Sequence, residues 1–297
     1  MAGQQFLITG AGGQLGRALR AACGARGLAA VGVGTTSMPL HDRAAIRATL
    51  ERERPAWVLH CGAVTNVDGC ETDPLGAYRI NGLGTAWLAE AAAAVGAGLV
   101  YMSTDFVFDG SATTPYAVDA PVRPLSVYGA SKRLGEEAVL GHGRADFHVV
   151  RTSWVFGPGG KNFPRAILDR ARSGQPLKVV TDQIGCPTYA PDLADALLDL
   201  VASRAPGGIW HAANDGQCSW HGFASAVLQA AGLGAIALGT QTAAELKRPA
   251  PRPAWSVLDT GKLAAVRGRP LPPHTDAIRR WLVADAATAQ AGGGKNY

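Results

Sequence analysis

A chain of 297 residues, 47% apolar and 17% charged, can bury a sizeable core and has room for one large α/β unit or two intimate domains. Its net charge of +5 comes from scattered basic residues, with no basic run interleaved with aromatics. That argues against a nucleic-acid partner and still suits an anionic small molecule. The five cysteines, an odd number without a CxxC pair, argue against a disulfide framework or a zinc site and for a reducing compartment, the cytoplasm. MAGQQFLITG lacks the regions of a secretory signal. The most apolar stretch, TAWLAEAAAAVGAGLVYM, carries Glu90 and is broken by Gly96 and Gly98, so no membrane partner is expected.

QFLIT is a short apolar run ending at glycines, as a buried strand does. QLGRALRAACGARG then has helical periodicity. LAAVGVG is a second strand, RAAIRATLERE a helix stopped by Pro55, and AWVLHCGA a third strand. DPLGAYRINGLGTAWLAEAAAAVG is one long helical region with proline near its start and glycine at its end. GLVYMST is a fourth strand, SVYGASKRLGEEAVL a helix, and FHVVRTSWVF a fifth strand. This alternation predicts a Rossmann-type, doubly wound parallel sheet, an α/β domain over residues 1–156. Beyond it prolines become frequent and the pieces shorten: AILDRARSG, PLKVV, DLADALLDLVAS, GGIWHAA, WHGFASAVLQAAG and DAIRRWLVADA. They read as a smaller α+β substrate domain over 157–297 that exchanges segments with the first, ending in a disordered tail from about residue 288.

GAGGQLG sets Gly10, Gly13 and Gly16 three residues apart between the first strand and first helix. Glycine there permits a tight turn, close approach of backbone to a pyrophosphate, and packing of helix on strand. The second strand ends in VGVGTTS, with no carboxylate for the ribose hydroxyls and nothing to repel a 2′-phosphate. Arg17 would attract such a phosphate or be a solvated helix residue. NADPH is therefore expected over NADH.

YGASK places Tyr128 and Lys132 one helical turn apart. Alone, the pair fits a surface ion-and-phenol pair as well as a proton donor beside a charge. The glycine loop decides for the second. YMSTDFVF ends the fourth strand, where ligands bind in open parallel sheets, so Thr104 and Asp105 would face the cofactor. A lysine ammonium would lower the phenol pKa from its usual value of about 10. The phenol would then exchange a proton with a carbonyl oxygen held by Thr104.

With GAVTNVDGCE, STDFVFDG, VVRTSWVFGPGGKNF, DQIGCPTYAPDLA and GIWHAANDG in order along most of its length, the chain resembles the extended short-chain dehydrogenase/reductases. Among them it is most similar to the dTDP-4-dehydrorhamnose reductases. The resemblance implies NADPH-dependent reduction of a 4-keto group on a dTDP-4-keto-6-deoxysugar, dTDP-4-dehydro-L-rhamnose foremost. It implies Thr104, Tyr128 and Lys132 as the catalytic group. Gly13, Gln14 and Leu15, with Ala63, Val64 and Thr65, match cofactor contacts. Leu40 does too, although Pro39 precedes it where many members carry an acid. Thr104, Asp105 and Trp154 match sugar-nucleotide contacts, with Trp154 equally placed to be core. Arg252 would bind the diphosphate or be a loop arginine. Ala18 and Pro191 stand where enterobacterial relatives carry magnesium-bridging glutamates, so no metal is expected, while a homodimer is left open.

Besides a reductase of another dTDP-4-keto-deoxysugar, two rivals remain. A 4,6-dehydratase would need an acid where Phe106 follows Asp105. A non-catalytic dinucleotide-binding partner, like the regulatory β subunit of methionine adenosyltransferase, would not need the intact Thr104, Tyr128 and Lys132.

Overall fold

The computed structural model describes residues 5–293. Its strands are β1 (Gln5–Thr9), β2 (Ala29–Val33), β3 (Trp57–His60), β4 (Gly98–Thr104), β5 (Phe147–Thr152), β6 (Val155–Phe156), β7 (Leu177–Val180), β8 (Ile184–Gly185), β9 (Thr188–Tyr189), β10 (Gly208–His211), β11 (Cys218–Ser219) and β12 (Leu238–Gln241). The helices are α1 (Gln14–Ala25), α2 (Arg43–Glu53), α3 (Val67–Thr72), α4 (Pro74–Ala77), α5 (Thr85–Ala94), α6 (Val127–Leu140), α7 (Phe163–Arg172), α8 (Ala190–Ser203), α9 (Trp220–Ala230), α10 (Ala243–Leu246), α11 (Gly261–Arg267) and α12 (His274–Gly293).

Six parallel strands form the main sheet in the order β10-β5-β4-β3-β1-β2. In β1 the period of two sends Phe6 and Ile8 to one face and Leu7 to the other. Phe6 and Ile8 join a core with Leu19 of α1 and Leu197 of α8. Leu7 joins Ile46 of α2, Leu88 of α5 and Val139 of α6. Helices thus cover both faces, which explains why β4 is buried along its whole length. The chain runs from β1 out to β2, then crosses back to β3 on the other side of β1. That reversal opens a crevice at the carboxyl ends of the strands.

The second half supplies α8 and β10 to this same unit, with β10 pairing in parallel with β5. The remaining short strand pairs pack with α7, α9 and α12 around Phe156, Phe223 and Trp281.

Three expectations need correction. The single helix expected over residues 73–96 is α4, a π-helical turn over Tyr78–Gly84, and α5. Gly84 sits against the Leu40 carbonyl, where a side chain would collide, so glycine lets a distant backbone approach this wider, underwound turn. The fifth strand does not run through to Phe156. It stops at Thr152, and Trp154 takes a left-handed backbone conformation with φ +49°. The tail expected from residue 288 is helical in α12 as far as Gly293, and the last four residues lie outside the described range. Among the described residues no helix is long and apolar enough to cross a membrane.

Candidate active site

A cleft of about 910 Å³ opens at the carboxyl ends of the main strands. Its floor is the glycine loop. Its walls are the segments after β2, β3 and β4, the start of α6, and a flank from Trp154 to the 248–252 loop.

The glycine loop is built as a cradle. Gly10 has φ +62°, and a side chain on it would press on the Gly62 backbone at 2.9 Å. The Gly13 amide donates to the Gly10 carbonyl at 2.9 Å and closes the turn. Gly16 has no room for a side chain against Gly10 and Ala11, so α1 packs tightly. Gly13 caps α1 without a side-chain hydrogen bond, and the first turn carries no acid. Its free amides and the helix dipole fit the pyrophosphate of a dinucleotide. Gly10, Gly13, Gln14, Leu15 and Gly16 all line the cleft, as do Leu40 and the Ala63-Val64-Thr65 segment. Arg17 is no simple solvated residue: its guanidinium donates to the carbonyls of Gly12 at 2.5 Å and of Pro158 and Gly159 at 3.1 Å each. Carbonyls leave its charge unneutralised beside the cradle.

The reactive wall comes from β4 and α6. Ser126 caps α6 by accepting the Gly129 amide at 3.2 Å, and Glu71 accepts the Val127 amide at 2.8 Å. Tyr128 and Lys132 then project one turn apart into the cleft. Burial raises the Tyr128 phenol above its usual range, the facing Thr104 hydroxyl opposes this, and the Asp105 carboxylate adds to it. The lowering expected from Lys132 is overturned, because desolvation dominates and the Lys132 ammonium lies 4.2 Å from the centre of the Tyr101 ring. Burial pushes that ammonium down to about 7, with Glu136 opposing. Glu136 is itself committed to Arg151 and Ser103.

Thr104 donates to Asp105 at 3.0 Å and accepts the Phe106 amide at 3.2 Å. Asp105 is buried, and among the described residues its second carboxylate oxygen has no partner. Burial pushes it up to about 6, opposed by the nearby Ser256 hydroxyl and the hydrogen bond from Thr104. Phe106 turns its ring edge-on to Tyr128, 5.6 Å between centroids. An apolar edge there gives no route for a second proton.

The opposite flank holds Trp154 and Arg252. Trp154 stacks on Trp220 at 3.6 Å, lies against Gly185 and also lines the cleft, so it is both packing and lining. Arg252 donates to Asp68 at 3.0 Å, and Arg248 reaches the same oxygen at 3.8 Å. Two guanidiniums on one carboxylate leave a net positive flank suited to an anion.

Sequence reasoning missed Arg248, Trp220 and a buried asparagine, Asn81. Its carboxamide accepts the Val64 amide at 2.9 Å and donates to the Val64 carbonyl and the Ser131 hydroxyl, each at 3.0 Å. A polar residue inside a helical run between glycines was the available signal.

The family model described as "RmlD substrate binding domain" matches residues 4–286. dTDP-4-dehydrorhamnose reductase of Streptomyces griseus is 41% identical over 90% of this chain and 89% of its own. A probable dTDP-4,6-dihydroxy-2-methyloxan-3-one 4-ketoreductase of Streptomyces antibioticus is 40% identical over 93% of each. Among solved structures, dTDP-4-dehydrorhamnose reductase of Bacillus anthracis in complex with NADP aligns with a TM-score of 0.89 at 30% identity, over 94% of this chain and 99% of that one. The chain belongs to the RmlD substrate-binding-domain family of the extended short-chain dehydrogenase/reductase fold.

Proposed function

We propose that this protein is an NADPH-dependent oxidoreductase that reduces the 4-keto group of dTDP-4-dehydro-L-rhamnose to give dTDP-L-rhamnose, a step of polysaccharide precursor synthesis in the cytoplasm. The observation that carries the reading is one cleft joining an anion cradle to a wall bearing Thr104, Tyr128 and Lys132. Two relatives of similar identity, named as reductases of dTDP-linked keto sugars, support it.

A bound NADPH supplies the hydride. Thr104 orients the substrate carbonyl through its hydroxyl. Tyr128, kept protonated at neutral pH by burial, donates its proton to the oxygen as it gains charge. Lys132 offers N–H donors from the same wall to cofactor hydroxyls. Asp105 meets a sugar hydroxyl with its unpartnered oxygen. Trp154 gives an aromatic face to the nucleotide side, and Arg252 with Arg248 balances the diphosphate. A sugar nucleotide is thus the partner this site is read to take.

The Streptomyces antibioticus relative favours a second reading, a reductase of a different dTDP-4-keto deoxysugar at the same site. NADPH oxidation measured across a panel of dTDP-4-keto sugars separates the two. The first reading expects highest kcat/KM with dTDP-4-dehydro-L-rhamnose and with NADPH over NADH. Equal rates with the free sugar would remove the sugar-nucleotide assignment altogether.

A further inference from the structure

His60, at the end of β3, is fully buried and makes two hydrogen bonds. On one side lies the Thr9 hydroxyl, 2.7 Å from Nδ1. Thr9 already accepts the amides of Cys61 at 3.1 Å and Gly62 at 3.0 Å, so both lone pairs are used and its single proton must go to Nδ1. The ring proton therefore sits on Nε2 and is donated to Thr85 Oγ1 at 3.1 Å. Thr85 donates in turn to the Asn81 carbonyl at 2.7 Å. The chain of donors has one direction and ends at the π-helical turn.

Asn81 is where that turn does its positioning. Its carboxamide grips both backbone groups of Val64, on the segment after β3, and the hydroxyl of Ser131, next to Lys132 in α6. A π-turn weakens the ordinary helical ladder, so its carbonyls need donors from outside it. Thr85, with a more distant contact from the Tyr101 hydroxyl at 3.4 Å, provides them.

We propose that His60 and Thr85 are positioning residues that hold the Asn81 peptide, so that its side chain fixes the Val64 segment and the Tyr128–Lys132 helix at one spacing across the cleft. Neither residue touches the reacting atoms. His60 stays neutral because burial, aided by the Lys132 charge, pushes it down to about 3. A protonated ring would aim a second N–H at a Thr9 oxygen with no lone pair left.

The test uses the full-length enzyme and four variants. Thr85→Val cuts the chain and Thr85→Ser keeps it. His60→Asn keeps an acceptor near the Nδ1 position but loses the donor to Thr85, whereas His60→Gln reaches the Nε2 position and can donate. Hydrogen exchange at the Val64 amide, without substrate, reads the clamp directly. We expect exchange to quicken about tenfold or more in Thr85→Val and His60→Asn, and to return towards wild type in Thr85→Ser and His60→Gln. Turnover per folded molecule should fall roughly 10- to 100-fold in the first pair, as misplacement of reacting groups does, with KM for the sugar nucleotide changed less than about threefold. A purely structural role would lower the melting temperature of all four and leave Val64 exchange and kcat unchanged. That result, or glutamine doing no better than asparagine, would overturn the proposal. The activity readout rests on the reduction proposed above. If the wild-type enzyme fails to reduce the keto sugar, that function falls, and the exchange measurement still decides this inference.

Discussion

In the proposed reduction Tyr128 is the proton donor, and its burial bears directly on that role. A phenol raised above its usual range is fully protonated when a carbonyl arrives, which suits reduction. Tyr128→Phe removes the proton and little else, so turnover should drop about 10²-fold or more while NADPH titration still shows binding. Retained turnover would mean that another group donates. Asp105 carries the opposite tension. Its folded pKa of about 6 lies above the usual carboxyl value, so the folded state binds the proton more tightly than the unfolded chain. Its contribution is therefore favourable below about pH 4 and is lost as pH rises through 6. Asp105→Asn should raise unfolding free energy at pH 7 by about 1–2 kcal/mol, raise it less at pH 4, and weaken substrate binding. Urea denaturation at the two pH values checks the sign.

Elements succeed or fail by how closely their backbones meet. α6 lies against the Tyr101 hydroxyl and the Asn81 carbonyl at Gly135, where an added methyl would find the Asn81 oxygen at 2.6 Å. Gly82 instead faces the movable end of Leu134. Gly135→Ala should cost about 1–3 kcal/mol and lower kcat by shifting α6, whereas Gly82→Ala should be nearly silent in both. Thermal melts and turnover of the two variants make the comparison. The same distinction explains what the sequence could disclose. β4 and α2 stand where periodicity put them, because total burial and an Asp42 cap are local signals. That Thr104, Asp105, Tyr128 and Lys132 share one cleft was legible too, since strand end, loop and YGASK each carry their own pattern. The π-turn was not, because the backbone that Gly84 admits, at the Leu40 carbonyl, lies far off in the chain. His60, Thr85 and Asn81 were silent for the same reason: their partners lie 51, 25 and 17 residues away.

At the scale of the whole molecule, burial of neutral imidazoles sets the acid limit. His60 is pushed down to about 3, and His148 and His211 to about 4, each chiefly by desolvation. The unfolded chain binds protons at these groups from about pH 6.5 downward and the folded chain does not. Stability is thus complete above 6.5 and lost as pH falls, on the order of 2 kcal/mol per histidine by pH 5, with Asp105 offsetting a part. The urea midpoint should drop steeply between pH 7 and 5, and a flat profile would show that these rings are hydrated.

The return of α8 and β10 to the first sheet also has a meaning for the ribosome. When residue 160 emerges, β5 still has one unpaired edge and the flank of α1 that packs on α8 has no cover, because Leu197 and Trp210 have not yet emerged. The nascent dinucleotide cradle must wait some fifty residues before its supporting layer is complete. A fragment ending at residue 160 should therefore aggregate and fail to retain NADPH on gel filtration, although it contains the whole glycine loop and the YGASK helix. A monomeric, cofactor-binding fragment would show that the sheet closes without them. Synthesis from the N-terminus makes the binding loop first and makes it useful last.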